Sequence, residues 1–129
     1  MLYAPLLRRR VVALWEQLTP AGIEGLPLAD DVRFSYPGDH AMAIEATSAD
    51  ELRGWLHALF ARFPGLSFEV HEVVVDGPPW SLHTATRYSA IQEGRTLYQG
   101  TQFTHIRWGK VVREHVLPDT QAVARVAPR

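Results

Sequence analysis

The sequence predicts an α+β domain in which a cone-shaped, curved antiparallel sheet wraps around two to three N-terminal helices. Two apolar stripes at helical spacing carry the first half: Leu7, Val11, Leu14, Trp15 and Leu18, then Leu52, Trp55, Leu56, Leu59, Phe60 and Phe63. Past Pro64 the period changes to two, with Leu66, Phe68 and Val70 alternating with Ser67, Glu69 and His71. The strands that follow are separated by short turns only, which makes them a meander. Helices gathered on one side must cover its apolar face.

The first helix starts near Pro5, a residue suited to a first turn, and ends by Thr19-Pro20. A short helical turn fits Ile23 to Ala29, weakened by Gly25 and Pro27. Val32 to Tyr36 reads as an extra strand between the helices. Ser48-Ala49-Asp50-Glu51 has capping-box spacing and opens the strongest helix, which Pro64-Gly65 stops. The meander then runs from Leu66 to Val75, Ser81 to Ile91, Thr96 to Trp108 and Val111 to Leu117, broken at Asp76-Gly77-Pro78-Pro79, Gln92-Glu93-Gly94-Arg95 and Gly109-Lys110. Strands this long twist and coil. Curled around helices, they leave a cone closed at one end, and the pocket inside is where function belongs.

Composition narrows the partners. A length of 129 residues suits a single domain over 1–129. Thirteen Lys+Arg against fourteen Asp+Glu give a formal charge of −1, with no electrostatic footprint for nucleic acid or an anionic membrane. The longest apolar runs, such as Val73-Val74-Val75, fall far short of the roughly 20 residues a membrane span needs. Met1 to Leu7 is apolar but precedes Arg8-Arg9-Arg10, the reverse of a secretory leader, so a cytoplasmic location is expected. Zero cysteines remove disulfides, thiolate nucleophiles and Cys-based metal sites. No glycine-rich phosphate loop is present, and no cofactor is expected.

Several phrases, in this order and spacing, carry a resemblance. They are Ala29-Asp30-Asp31-Val32-Arg33-Phe34 leading into Tyr36-Pro37-Gly38-Asp39-His40, then Arg62-Phe63-Pro64-Gly65-Leu66 and Asp76-Gly77-Pro78-Pro79-Trp80. Arg107-Trp108-Gly109-Lys110-Val111-Val112 and Pro118-Asp119-Thr120-Gln121 complete the set. Together they resemble the nuclear-transport-factor-2-like superfamily, in its SnoaL-like, polyketide cyclase-like branch, over nearly the whole chain. The resemblance implies a cystatin-like α+β barrel and a homodimer formed through the outward face of the sheet. It implies no single reaction, since that superfamily includes isomerases, cyclases, epoxide hydrolases, dehydratases and binding domains.

Carried over residue by residue, the ketosteroid isomerase pattern fails: its base falls on Tyr36, its protonated acid on Thr104 and its tyrosine near Trp15. The cyclase and epoxide hydrolase pattern puts an acid at the end of the last strand, which Asp119 resembles in position. The epoxide hydrolases' second carboxylate has no counterpart on the neighbouring strand, which offers Gln102, Thr104 and Ile106.

Asp119 is therefore the candidate proton-transfer group, because a carboxylate in an apolar cone has its pKa raised. Following Pro118 and preceding Thr120, it also suits the cap of a terminal helical turn. His40, beside Tyr36, is placed to share its proton. Strand parity turns Leu82, Thr84, Thr86 and Tyr88 inward with Gln102, Thr104, Ile106 and Trp108, and turns His83, Arg87, Phe103, His105 and Arg107 outward. Thr86, Tyr88, Gln102 and Thr104 are thus candidate hydrogen-bonders for a ligand, and Trp15 and Trp55 candidate apolar walls. His71, His83 and His105 share one parity on adjacent strands, but none has metal-motif spacing, and solvent or a subunit interface is their expected surrounding.

Two readings follow. In one, a small enzyme of cyclase, isomerase or hydrolase type uses Asp119, with Tyr36 and His40, on an apolar carbonyl-containing compound. In the other, the same cone is a non-catalytic ligand-binding or dimerisation module, and Asp119 is a cap.

Overall fold

The computed structural model describes residues 4–129. Met1 to Tyr3, part of the apolar start weighed as a leader, lie outside them. Helix α1 (Ala4–Glu16) leads into a single 3-10 turn (Pro20–Gly25), strand β1 (Leu28–Tyr36), strand β2 (Ile44–Ala46) and helix α2 (Ala49–Arg62). Strands β3 (Ser67–Asp76), β4 (Ser81–Gln92), β5 (Arg95–Arg107) and β6 (Lys110–Pro118) follow, and helix α3 (Thr120–Val126) closes the chain.

Local chemistry explains the boundaries. Thr19 accepts from Gly22 N at 3.2 Å and opens the 3-10 turn, where a Cβ on Gly22 would stand 2.0 Å from the Gln17 carbonyl oxygen. Only glycine fits there. The Ser48 hydroxyl caps α2 by accepting from Glu51 N at 3.1 Å, and the Glu51 carboxylate takes bonds from the Thr47 and Ser48 hydroxyls. The β4–β5 and β5–β6 turns each have positive φ at both central residues, Glu93-Gly94 and Trp108-Gly109, matching the right-handed twist of the strands they join.

The six strands form one curved, unclosed sheet in the order β2-β1-β6-β5-β4-β3. The meander is antiparallel as expected, but β1 pairs with β6 in parallel, so the sheet is mixed. The free edge of β6 needs backbone partners, and β1 supplies them from far away in the chain, a pairing that local periodicity does not encode. The strand β2, paired with β1 through Phe34 and Ala46, is likewise additional to the expected set. Register shifts interrupt the β1–β6, β3–β4, β4–β5 and β5–β6 ladders. Such bulges bend strands and increase twist, which supplies the curvature.

The core fills the concave side, where Leu7, Val11 and Trp15 of α1 and Leu52, Leu56, Leu59 and Phe60 of α2 are buried with the inward residues of the strands. Trp108 departs from the expected parity. The β5–β6 ladder ends at Arg107–Lys110, so Trp108 enters the turn with φ 50° and is 78% exposed. Helix α3 folds back over the loop after β1, where Ala41 N donates to Ala127 O at 2.8 Å. Among the described residues, no helix is long and apolar enough to cross a membrane.

Candidate functional site

The inward faces of β1, β4, β5 and β6 meet α1 and α2 around a cavity of about 80 Å³. That is roughly half of the ~150 Å³ that accepts a benzene ring. Half-exposed Leu14, Leu18, Leu26 and Pro27 border it on the solvent side. Its walls are apolar and aromatic, and no Lys, Arg, His or Asp lines it.

One carboxylate reaches this space, that of Glu114. On β6 it pairs across from Thr104 of β5, so the two side chains share the inner face beside Gln102. The Gln102 side-chain amide donates to Glu114 Oε2 at 3.0 Å and lies 3.4 Å from the Thr104 hydroxyl. Glu114 keeps some accessible surface because it borders the cavity, while protein surrounds it otherwise. Burial pushes its carboxyl from the ordinary 4.5 up to about 7. With no cationic side chain in the lining to offset that cost, the group is poised to gain or lose a proton near neutrality.

Tyr36, 2% exposed, ends β1 among the lining residues, with its hydroxyl enclosed by protein beside Tyr98. Burial, reinforced by Tyr98 and Tyr88, pushes its phenol far above the ordinary 10, so it stays a proton donor. Thr84, also of the lining, buries its hydroxyl without a hydrogen-bond partner. Buried polar atoms are rarely left unsatisfied, and both of these belong to residues of the lining.

Aromatic rings hold the walls in two groups. Trp15 packs 4.9 Å from Tyr88 and 5.8 Å from Phe68 between α1 and the β3–β4 pair. Trp55 of α2 packs 5.0 Å from both Phe34 and Tyr36, and its Nε1–H donates to the Met42 carbonyl at 2.8 Å.

Of the residues expected from the sequence, Tyr36, Trp15, Trp55, Tyr88, Gln102 and Thr104 border one cavity. Three do not. Asp119 is exposed at the N-cap of α3, where Oδ1 accepts from Ala122 N at 3.1 Å. Its helix-starting position after Pro118 directs the carboxylate to a free backbone amide and away from the cone. His40 is 2% exposed, but its Nδ1 accepts from Met42 N at 3.2 Å and its Nε2 lies 2.9 Å from the Pro37 carbonyl, so both nitrogens hold the loop together. Thr86 is buried with an unpartnered hydroxyl, outside the cavity lining.

Glu114 is the residue that strand reading overlooks. Its signal is parity: Glu114 and Val116 continue the inward set opposite Thr104 and Gln102. The bulge opposite Ile106 hides that alternation by inserting a residue between Val111 and Arg113.

On the convex face, His83 and His105 stack with ring centroids 4.0 Å apart, and the Ser81 hydroxyl lies 3.1 Å from His105 Nε2. Partial burial, His83, Arg107 and Arg113 all lower the His105 pKa. Among the described residues, no group of three or more potential ligands gathers to hold a metal ion.

Residues 9–114 match the family described as the SnoaL-like domain. The chain belongs to that family. Solved structures share the fold of this SnoaL-like domain at low identity. An NTF2-like protein of unknown function from Burkholderia pseudomallei K96243 superposes with a TM-score of 0.73 and 16% identity, over 95% of this chain and 97% of that one. Wild-type IdmH from Streptomyces antibioticus, described as a candidate polyketide cyclase, gives 0.65 and 17% over 90% and 94%. A de novo designed protein with a curved β-sheet gives 0.69 and 20% over 92% and 89%. No curated protein matches this chain in sequence.

Proposed function

We propose that this SnoaL-like domain binds a small, largely apolar carbonyl compound in its cone and moves a proton on it, with Glu114 as the acid–base group. The observation that carries the reading is Glu114 itself, a buried carboxyl near pKa 7 at the edge of an apolar cavity. Ionised, it takes a proton from the carbon next to the carbonyl. The Tyr36 hydroxyl donates to the oxygen where negative charge develops, and Glu114 returns the proton. Gln102 and Thr104 orient the carboxylate, and Trp15, Trp55 and Tyr88 form the walls. The role expected of Asp119 and His40 thus passes to groups that border the cavity.

A second reading, a ligand-binding module without chemistry, draws on the cap at Asp119 and on the small cavity. In either case, we expect a cytoplasmic homodimer joined through the convex sheet face, where Val74, Phe103 and Leu117 are exposed.

Hydrogen–deuterium exchange at the α-carbon of 2-butanone, followed by proton NMR near neutral pH, separates the two readings. The proposal requires the wild-type protein to accelerate exchange, Glu114→Gln to lose that acceleration and Asp119→Ala to keep it. Equal rates for wild type and Glu114→Gln would leave only the binding module.

A further inference from the structure

The carboxylate and the rings of this cavity also define the charge of a ligand it can hold. We propose that the cavity binds small tertiary and quaternary ammonium ions, with Glu114 as counter-ion and the aromatic walls as the remainder of the site. This rests on the cavity being the binding site and is independent of proton transfer.

Three observations support it. Glu114 is the sole carboxylate of the lining, and no cationic side chain stands near enough in that lining to pair with it. Its Oε2 accepts from Gln102, whereas Oε1 has no hydrogen bond among the described residues. Trp15, Phe34, Tyr36, Trp55, Phe68 and Tyr88 give the walls π-systems from two sides of the cone. At about 80 Å³ the cavity is smaller than such an ion fills, so entry requires the half-exposed Leu14, Leu18 and Leu26 on its solvent side to move apart.

The chemistry selects the ion type. A cation over an aromatic face gains roughly 0.5–2 kcal/mol according to how far it is desolvated. A metal ion or a primary ammonium holds its water tightly, and one carboxylate in an apolar chamber cannot replace that shell. Methylated ammonium ions are weakly hydrated and present an apolar surface to the rings. An anion meets a carboxylate with no positive partner and is rejected.

Protonation of Glu114 removes the counter-ion. The other titratable groups of the lining, Tyr36, Tyr88 and Tyr98, are phenols that burial keeps neutral. Cation affinity therefore follows the ionised fraction of Glu114 alone and falls about 30-fold between about pH 8 and about pH 5.5.

The test uses three probes of similar shape and different charge: tetramethylammonium, tert-butanol and pivalate. Binding is followed by NMR shifts of the Trp15 and Trp55 indole protons. Tetramethylammonium should bind most tightly at pH 8, weaken about 30-fold by pH 5.5, and lose its advantage over tert-butanol in Glu114→Gln. Equal binding of all three probes, or a tetramethylammonium affinity unchanged with pH in the wild type, overturns the proposal. The pH series needs no variant, so poor folding of Glu114→Gln does not obscure it. If 2-butanone exchange persists while the cation fails to bind, the proton-transfer reading survives and this inference does not.

Discussion

The Gln102 amide donates to Glu114 Oε2 at 3.0 Å, joining β5 to β6 at the floor of the cavity. A donor to the charged form of an acid favours that form, so this bond opposes the burial that raises the Glu114 pKa. Replacing Gln102 by Leu should move the Glu114 midpoint above about 7. Carboxyl-carbon NMR shifts followed against pH, assigned with Glu114→Gln, measure it. A wild-type midpoint at the ordinary 4.5 would remove Glu114 as an acid–base group.

Stability should carry the same signature. Folded Glu114 holds its proton up to about pH 7, whereas the unfolded chain releases it near 4.5, so the folded state binds more protons between those values. Stability contributed by the protonated acid is complete below about 4.5 and is lost as pH rises through 7. The loss is at most about 3 kcal/mol, reduced by water in the cavity. Urea unfolding at pH 5 and pH 8 should show the wild type weakening and Glu114→Gln changing less between the two. Equal changes in the two proteins would mean a solvated carboxylate that titrates alike in the folded and unfolded chain.

The cone was legible because its causes are local. Leu52 to Phe63 keep helical period behind a Ser48 cap, and Leu82 to Tyr88 alternate inward and outward as strands do. The parallel β1–β6 pairing was not, since backbone pairing between distant segments leaves no mark on either one's periodicity. The cavity walls Trp15, Tyr36, Trp55, Tyr88, Gln102 and Thr104 were readable from parity and aromatic supply. Glu114 was masked by the bulge beside it, and Asp119 drew attention by position although its proline-preceded, helix-opening context already described a cap.

Asp119→Ala tests that division of roles. Loss of an N-cap oxygen costs about 1 kcal/mol, here concentrated on α3 and the loop holding His40. Thermal unfolding should show a modest decrease, while the Glu114 midpoint and binding of tert-butanol in the cavity stay as in the wild type. A displaced Glu114 titration or lost binding would return Asp119 to the site.

The convex face offers a separate test. Val74 pairs with Ala85, Ala85 with Phe103 and Phe103 with His115, so an apolar row crosses β3, β4 and β5 and ends at His115 of β6. Val74 is 56% and Phe103 47% exposed, and burying such a row against a second copy would remove both from water. The stacked His83 and His105 lie one row away, flanked by Asp76 on β3 and Arg113 on β6. Phe103→Glu places a charge in the middle of that row and should shift sedimentation velocity from dimer to monomer without changing the Glu114 titration. A wild-type protein that sediments as a monomer at high micromolar concentration would show that the row is not a self-association surface.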